Sequence, residues 1–154
     1  MIKRSTRAAI AAFALTAATL VGTIGTAATA TAAPSIAHTA APSVGELQSK
    51  LQLVLNTGAS RAGRAAELEA GDPGVSIADQ VAARIAMFPS YRWSVVGPVD
   101  AHGDSLTAQL KTAVDGFEDL PLIEVSWRQI DGTWKLTREA LCTVAYYASV
   151  PCAV

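Results

Sequence analysis

The sequence predicts an α+β fold, in which helices pack on a four-stranded antiparallel sheet and one more helix follows the last strand. Three observations support this prediction. Apolar residues recur at every third or fourth position as far as Pro89, which is the period of a half-buried helix. From Tyr91 to Leu136 they recur at every second position, which is the period of a strand. After Thr137 the helical period returns. Because helices and strands are segregated along the chain, we expect the helices on one face of the sheet.

The first 32 residues have the pattern of a secretory signal peptide. Three basic residues precede an apolar, alanine-rich stretch at 8–22, and small residues follow at alternating positions over 26–34. The apolar stretch is shorter than the roughly 20 residues that a membrane-spanning helix needs. We expect cleavage after Ala32, within the interval from Ala30 to Ala33, and no stable membrane insertion of the mature chain.

Residues 33–42 are small and flanked by proline, which predicts a flexible linker before a single domain at 43–154. The chain has 12 basic and 13 acidic residues, and the signal peptide removes three of the basic ones. The mature chain is therefore acidic, with a net charge of −4, which argues against a nucleic-acid partner. We expect the protein outside the cell, either free or associated with the cell wall.

Both cysteines, Cys142 and Cys152, lie near the C-terminus. In an oxidising exterior an even number of cysteines predicts a disulfide, which here would pin the tail of the chain to the last helix. Two cysteines and the distant His102 are too few ligands for a zinc site. The sequence therefore predicts one disulfide, no metal site and no cofactor.

Two N-terminal helices are predicted from their caps. Ser43 and Glu46 form a capping box before the first helix, in which each side chain binds an amide at the helix start. Ser60 is the expected N-cap of a second helix over 61–70, which the turn-forming residues 71–74 should end. The expected buried stripe of the first helix is Leu47, Leu51 and Leu55.

Two further helices flank the predicted sheet. Ser76 and Asp79 repeat the capping pattern, so a third helix is expected from Ser76 to the residue before Pro89. Thr137 is the expected cap of the last helix, over 138–148. The inward stripe of the third helix is Ile77, Val81, Ile85 and Phe88. That of the last helix is Leu141, Val144, Ala145 and Ala148.

One hairpin of the sheet is specified by two independent signals. Asp131-Gly132 predicts a two-residue type I′ turn. That turn sets Trp127 opposite Leu136, and it sets Gln129 opposite Trp134. The alternation of apolar residues places both tryptophans and the leucine on the same buried face, which agrees with this register.

Earlier in the sheet, Gly97-Pro98 indicates a bulge or an edge strand. The stretch 58–64 superficially matches a phosphate-binding loop, with two glycines separated by four residues and a basic residue after the second. A phosphate-binding loop needs Lys and then Ser or Thr after a buried strand, whereas here Arg64 and Ala65 follow a helical segment. We interpret the stretch as a junction between two helices. Its charged residues are expected on a solvated helix surface, with a partner-docking patch as the alternative, and they are Arg61, Arg64, Glu67 and Glu69.

No catalytic residues are predicted. His102 is the only histidine in the predicted domain, and no nucleophile or carboxylate stands at a spacing that would complete a triad with it. Ser60, Ser90 and Ser105 are explained as cap or turn residues. The sequence therefore contains no recognisable hydrolase or metalloprotease motif.

Three segments resemble a known family in their order and spacing. They are "LNTGASRAGRAAELEAG", "GPVDAHGDSLTAQL" and "DGTWKLTREALC". Together they resemble the actinobacterial, mycobacterial-type low-molecular-weight secreted antigen family, over most of 44–148. The resemblance implies a cystatin-like or nuclear-transport-factor-2-like cone, in which helices are cradled by a curved antiparallel sheet. It implies no catalytic residues, and it leaves the disulfide resting on this sequence alone.

Folds of this class can enclose an apolar pocket between helices and sheet. The candidate lining residues are Tyr91, Trp93, Trp127 and Trp134, with a filled core as the alternative. Ketosteroid isomerase, which has such a fold, works with a carboxylic acid in an apolar site. Here the acidic residues fall on turns or on outward strand positions, which argues against the same chemistry.

The sequence therefore favours a secreted, non-enzymatic, antigen-like protein that binds a small apolar ligand or a protein partner. Two alternatives stay open, which are a pocket enzyme of the ketosteroid-isomerase-like fold class and a structural protein of the cell envelope.

Overall fold

The computed structural model describes residues 40–118 and 120–154, and its elements confirm the α+β prediction. The predicted signal peptide, the cleavage site after Ala32 and most of the predicted linker lie outside the described residues, so the domain boundaries stay predictions. The curved, cystatin-like cone also stays a prediction. The elements are α1 (Val44–Leu55), α2 (Arg61–Ala66), α3 (Asp72–Ala86), β1 (Arg92–His102), β2 (Ser105–Ala113), β3 (Ile123–Ile130), β4 (Thr133–Leu136) and α4 (Arg138–Tyr147).

The sheet is antiparallel with the strand order β1-β2-β3-β4, so each strand pairs with its neighbour in sequence. Alternate residues of the two central strands are buried, as their period predicted. α1 packs on β1, α4 packs on β3, and α3 contacts both of these helices. The buried side chains of the central strands include Leu106, Ala108, Leu110, Ile123, Val125 and Trp127.

The Asp131-Gly132 turn fixes the register of the last hairpin, as predicted. Both residues have left-handed φ angles, 51° and 75°, which a type I′ turn requires. Trp127 pairs with Leu136, and Gln129 pairs with Trp134. Both tryptophans and the leucine are buried, so this short turn sets one wall of the core.

β1 is an edge strand and also carries a bulge, so the structure gives Gly97-Pro98 both predicted roles. The pairing register shifts between Val96 and Asp100. The amide of Val95 donates a hydrogen bond to Gln48 Oε1 of α1 at 2.6 Å. Since an unpaired strand edge invites association with another strand, this side-chain contact protects part of the edge.

The predicted capping box begins α1. The Glu46 amide donates to Ser43 Oγ at 3.3 Å, and the Ser43 amide donates to Glu46 Oε2 at 2.7 Å. The first two leucines of the predicted stripe are buried, but Val54 completes the stripe in place of Leu55. A separation of eight residues overshoots two full helical turns by about 80°, so Leu55 is only half-buried.

α2 ends at Ala66, short of its predicted end, because the next residues pair with β4. The Leu136 amide donates to the Glu67 carbonyl at 2.8 Å, and the Glu69 amide donates to the Leu136 carbonyl at 2.9 Å. We call this pairing of 67–69 with Leu136 the 67–69 clasp. It joins the helical half of the chain to the free edge of the sheet.

The side chains of the clasp extend the same connection. Lys50 Nζ of α1 lies 2.6 Å from Glu67 Oε2, and Arg128 Nη1 of β3 lies 2.7 Å from Glu69 Oε1. The second oxygen of Glu69 accepts from the amide of Arg138 at 3.1 Å, at the start of α4. A carboxylate at this position stabilises the exposed amides of a helix N-terminus.

α3 begins at Asp72 and not at the predicted Ser76. Pro73 lies in its first turn, where a fixed φ and a missing amide are well tolerated. Gly71, with a φ of 60°, redirects the chain just before the helix. Residues 71–74 therefore contain the start of α3, whereas the sequence predicted only that they end the second helix.

Gly74 allows α3 to approach α4 closely. A Cβ at this position would lie 3.0 Å from side-chain carbons of Leu68 and Ala70, and 3.1 Å from Leu141 Cδ2. These distances are shorter than ordinary carbon contacts, so a larger residue would push α3 away from the clasp and from α4.

Thr137 caps α4 as predicted, accepting a hydrogen bond from the Ala140 amide at 3.1 Å. At the other end, the Val150 amide donates to the Ala145 carbonyl at 2.8 Å, which is the long bond of a Schellman motif. Val150 is buried against the core, so the chain after α4 folds back onto the domain.

The disulfide between Cys142 and Cys152 is present, with the two Cα atoms 5.3 Å apart. It closes the loop that contains the C-terminal half of α4, the Schellman turn and the first residues of the tail. The bond therefore fastens the tail to the last helix, which is the role that the sequence indicated.

Arg64 is buried, which corrects the expectation that it belongs to a solvated helix surface. Its side chain is 4% exposed, and its Nε donates to the Val54 carbonyl at 2.8 Å. Its Nη2 lies 2.7 Å from Asp79 Oδ1, but no hydrogen bond is aligned along that contact, so we treat it as an ion pair. Arg64 thus joins the end of α1 to α2 and α3.

Replacing Arg64 with Met should lower the free energy of unfolding by about 2–3 kcal/mol, as for other hydrogen bonds that involve a buried charge. The reason is that the Val54 carbonyl would lose its charged donor and Asp79 its partner. Equilibrium unfolding in urea measures the change. Arg61→Met is the matched control, because Arg61 lies on the same helix in an exposed pair with Asp72. Equal losses in both variants would contradict the structural role of Arg64.

Replacing Cys142 and Cys152 together with Ser should lower the free energy of unfolding by about 3 kcal/mol, the value that the chain-entropy model gives for a short loop. Thermal unfolding of the oxidised, reduced and doubly substituted protein measures the loss. Thiol labelling of the native protein is the control, since the oxidised form should not react. Labelling of both cysteines without reductant would show that the bond is absent.

Candidate functional site

An apolar cavity lies between the C-terminal halves of α3 and α4 and one end of the sheet. We call it the groove. It has a volume of about 310 Å³ and opens to solvent along one side. Its lining comprises Val81, Arg84, Ile85, Phe88, Tyr91, Leu110, Val114, Ile123, Val144, Tyr147, Ala148 and Ser149.

The walls of the groove follow from helical and strand periodicity. Val81 and Ile85 occupy one stripe of α3, which the sequence predicted as an inward stripe, and Phe88 follows just after the end of the helix. Leu110 and Ile123 pair directly across β2 and β3, so their side chains lie on the same face of the sheet. Residues that were predicted as core therefore line the groove, which is a space that α3 and α4 leave unfilled. The prediction that Phe88 points inward is wrong, because α3 ends at Ala86 and Phe88 is 53% exposed at the opening of the groove.

The polar groups of the groove are few. Arg84 and Ser149 lie at its rim, and Tyr91 and Tyr147 contribute phenol rings. Burial raises the pKa of the Tyr91 phenol above its ordinary value, since water that would stabilise the phenolate is partly excluded. Among the described residues, the lining contains no carboxylate and no histidine. The groove is therefore suited to an apolar ligand, and the Arg84 guanidinium places one positive charge beside it.

Large exposed hydrophobic side chains continue the groove onto the surface. Tyr147 and Phe88 belong to the lining itself, and Met87 lies on an adjacent shallow cavity that shares Arg84 and Ser149 with the groove. Tyr146 stacks edge-on against Tyr147, with the ring centroids 5.6 Å apart. We call this exposed set the apolar rim, and it consists of Met87, Phe88, Tyr146 and Tyr147.

The structure separates the four residues proposed from the sequence as a pocket. Tyr91 lines the groove. Trp127 is 1% exposed and packs within the core, and Trp93 packs against the same core from β1. Trp134 is also buried, and it borders a second, more open and more polar cavity beside the start of α1. The helical residues that form most of the groove were predicted as core, and no sequence signal distinguishes a filled core position from one that borders a gap.

The remaining sequence candidates have structural explanations. Arg64 belongs to the interior contact described above and not to a phosphate site. His102 is exposed at the end of β1, where it pairs with Ser105 in a tight hairpin. In the described parts of the chain, no group of three or more His, Cys, Asp or Glu residues is arranged to hold a metal ion.

Within 40–118 and 120–154, no helix combines the length and apolar character that crossing a bilayer requires.

No curated protein matches the chain. A family model does match it, over residues 40–152, and its description is low molecular weight antigen MTB12, C-terminal domain. This interval includes every helix and strand of the fold and also the disulfide. The chain therefore belongs to the family of the low molecular weight antigen MTB12 C-terminal domain.

Proposed function

We propose that the protein is a secreted, non-enzymatic binding protein that holds a small apolar ligand in the groove. The observation that carries the proposal is an apolar cavity of about 310 Å³ that opens onto a rim of exposed aromatic side chains. Ligand pockets in proteins have volumes of about 300–1,000 Å³, so the groove suits a small ligand. An exposed apolar surface of this kind often marks a site that a ligand or a partner covers.

The non-enzymatic part of the proposal is supported by the chemistry of the lining. An enzyme of the ketosteroid-isomerase-like class would need a carboxylic acid that faces the cavity, with a pKa adjusted by burial. The titratable side chains of the lining are Arg84, Tyr91 and Tyr147. A phenol with a raised pKa stays protonated near neutrality, so Tyr91 suits the role of a hydrogen-bond donor better than that of a base.

Location outside the cell is supported by two features of the chain. The disulfide between Cys142 and Cys152 belongs to an oxidising compartment, and the first 32 residues have a signal-peptide pattern. Retention in the cell wall, including a structural role in the envelope, is the alternative to free secretion. Fractionation of the native host into medium, wall and membrane, followed by detection of the mature chain, separates these cases.

A second candidate function is the binding of a protein partner on the apolar rim. Tyr146 is 77% exposed and Tyr147 is 58% exposed, and aromatic side chains are enriched at protein interfaces. A photo-crosslinking residue at Tyr146 should then capture one defined partner from the culture medium. The same residue at Ala101, which is exposed at the far end of β1, should capture nothing.

Replacing Ala148 with Phe should weaken binding of a neutral apolar dye such as Nile red by about tenfold or more, because the new ring would fill the groove. Such a loss corresponds to about 1.4 kcal/mol of apolar burial. Dye fluorescence measures the affinity, and thermal unfolding checks that the variant is folded. Ala101→Phe is the matched control and should bind as the wild type does. Absence of dye binding by the wild type would overturn the proposed function.

Binding of the neutral dye should weaken as the pH rises through the raised pKa of Tyr91. An apolar ligand removes water from the phenol and thereby favours its neutral form, so formation of the phenolate opposes binding. Tyr91→Phe should abolish this alkaline loss of affinity. Tyr146→Phe is the matched control, since it removes the hydroxyl of an exposed tyrosine that does not line the groove. A loss of affinity that persists in Tyr91→Phe would contradict the position of this phenol in the groove.

A further inference from the structure

Building on the proposed function, we infer that the ligand is an anionic amphiphile, namely a medium-chain carboxylate. Its chain lies in the groove, and its headgroup is bound at the rim by Arg84 and Ser149. Both residues line the groove and also the adjacent shallow cavity, so they lie together on the boundary between the two. An acyl chain that enters the groove from this side leaves its carboxylate beside them.

The charge of the lining selects the sign of the headgroup. Arg84 is the only full charge among the described lining residues. It is exposed, and within the part of the chain that the structure describes no Asp or Glu forms an ion pair with it. By contrast, Arg61, Arg92 and Arg128 are each held by a carboxylate. The planar guanidinium of Arg84 is therefore available to bind a carboxylate through two parallel hydrogen bonds.

Ser149 occupies a position at which glycine is usual. Its φ is 54°, and its amide donates to the Tyr146 carbonyl at 2.9 Å as the C′ residue of the Schellman motif. A residue with a Cβ is strained in this left-handed conformation, whereas glycine is not. In the described structure the Ser149 hydroxyl makes no hydrogen bond. A strained serine whose hydroxyl is free at the mouth of a cavity, next to an unpaired arginine, is explained by a ligand that accepts from both.

The volume of the groove limits the length of the chain. A cavity of about 310 Å³ holds about ten groups the size of a water molecule, each of which occupies about 30 Å³ in the liquid. A methylene group is of similar size, so a chain of about eight to ten carbons fills the groove. The walls that would contact it are aliphatic, from Val81, Ile85 and Val144. The expected ligand therefore has the size of decanoate.

The test compares decanoate with decanamide, which has the same chain and a neutral headgroup. Each compound displaces Nile red from the folded, oxidised protein, below the concentration at which decanoate aggregates. The wild type should prefer decanoate by about fivefold to tenfold, as expected for a charge-assisted contact at an exposed rim. Arg84→Gln should lose this preference and keep its affinity for decanamide. Arg138→Gln is the matched control, because it removes an exposed arginine from the opposite end of α4.

Ser149→Gly separates a binding role from a structural one. Because glycine relieves the left-handed strain, the variant should have a Tm about 2–5 °C higher than the wild type, and a lower preference for decanoate. A purely structural serine would change the Tm alone, and that result would overturn its assignment to the headgroup site. Equal displacement by decanoate and decanamide, with dye binding intact, would overturn the carboxylate inference and leave the apolar groove in place. Failure of the dye itself to bind would overturn the proposed function.

Discussion

The 67–69 clasp is the contact on which the rest of the fold depends. Two backbone hydrogen bonds between Leu136 and residues 67–69 end α2 and attach it to the edge of β4. Leu68, at the centre of the clasp, is buried and lies within close contact of Gly74. Glu69 binds both β3 and the first amide of α4. The clasp therefore fixes the start of α3 and the start of α4 with respect to the same strand.

The groove is a consequence of how these two helices continue from the clasp. Near their N-termini α3 and α4 approach closely, because Gly74 leaves room for Leu141. Toward their C-termini bulkier residues face each other, and the space between Ile85 and Val144 is not filled from the sheet side. A close contact at one end and a gap at the other are the combined result of one glycine and several branched side chains. Most of the lining residues therefore belong to α3, α4 and the sheet.

Several local signals in the sequence predicted local structure correctly. The type I′ turn at Asp131-Gly132, the Ser43 capping box and the caps at Ser60 and Thr137 each depend on a few neighbouring residues, and all of them are confirmed. Two errors are local, because α3 begins at Asp72 and not at Ser76, and Val54 takes the place of Leu55 in the stripe of α1. The other errors concern contacts between distant residues. α2 was predicted too long because its end is decided by Leu136, which the helical pattern of 61–70 does not contain.

The burial of Arg64 and the position of the groove were missed for the same physical reason. An arginine on a short polar helix normally faces water, and only the carbonyl of Val54 and the carboxylate of Asp79 make its burial favourable. Likewise, the stripe of α3 identifies apolar positions, but a gap beside them depends on how far α4 stands away. Periodicity specifies which face of an element is buried, and it contains no information on the distance to the facing element.

The disulfide has a consequence for binding as well as for stability. The loop that it closes contains Val144, Tyr147, Ala148 and Ser149, which together form the α4 side of the groove. In the reduced chain these residues would keep more conformational freedom, so binding of the proposed ligand would cost more entropy. In the oxidised chain part of that entropy is already lost on folding. Under the proposed function, the bond thus preorganises one wall of the groove and couples ligand binding to oxidation of the two cysteines.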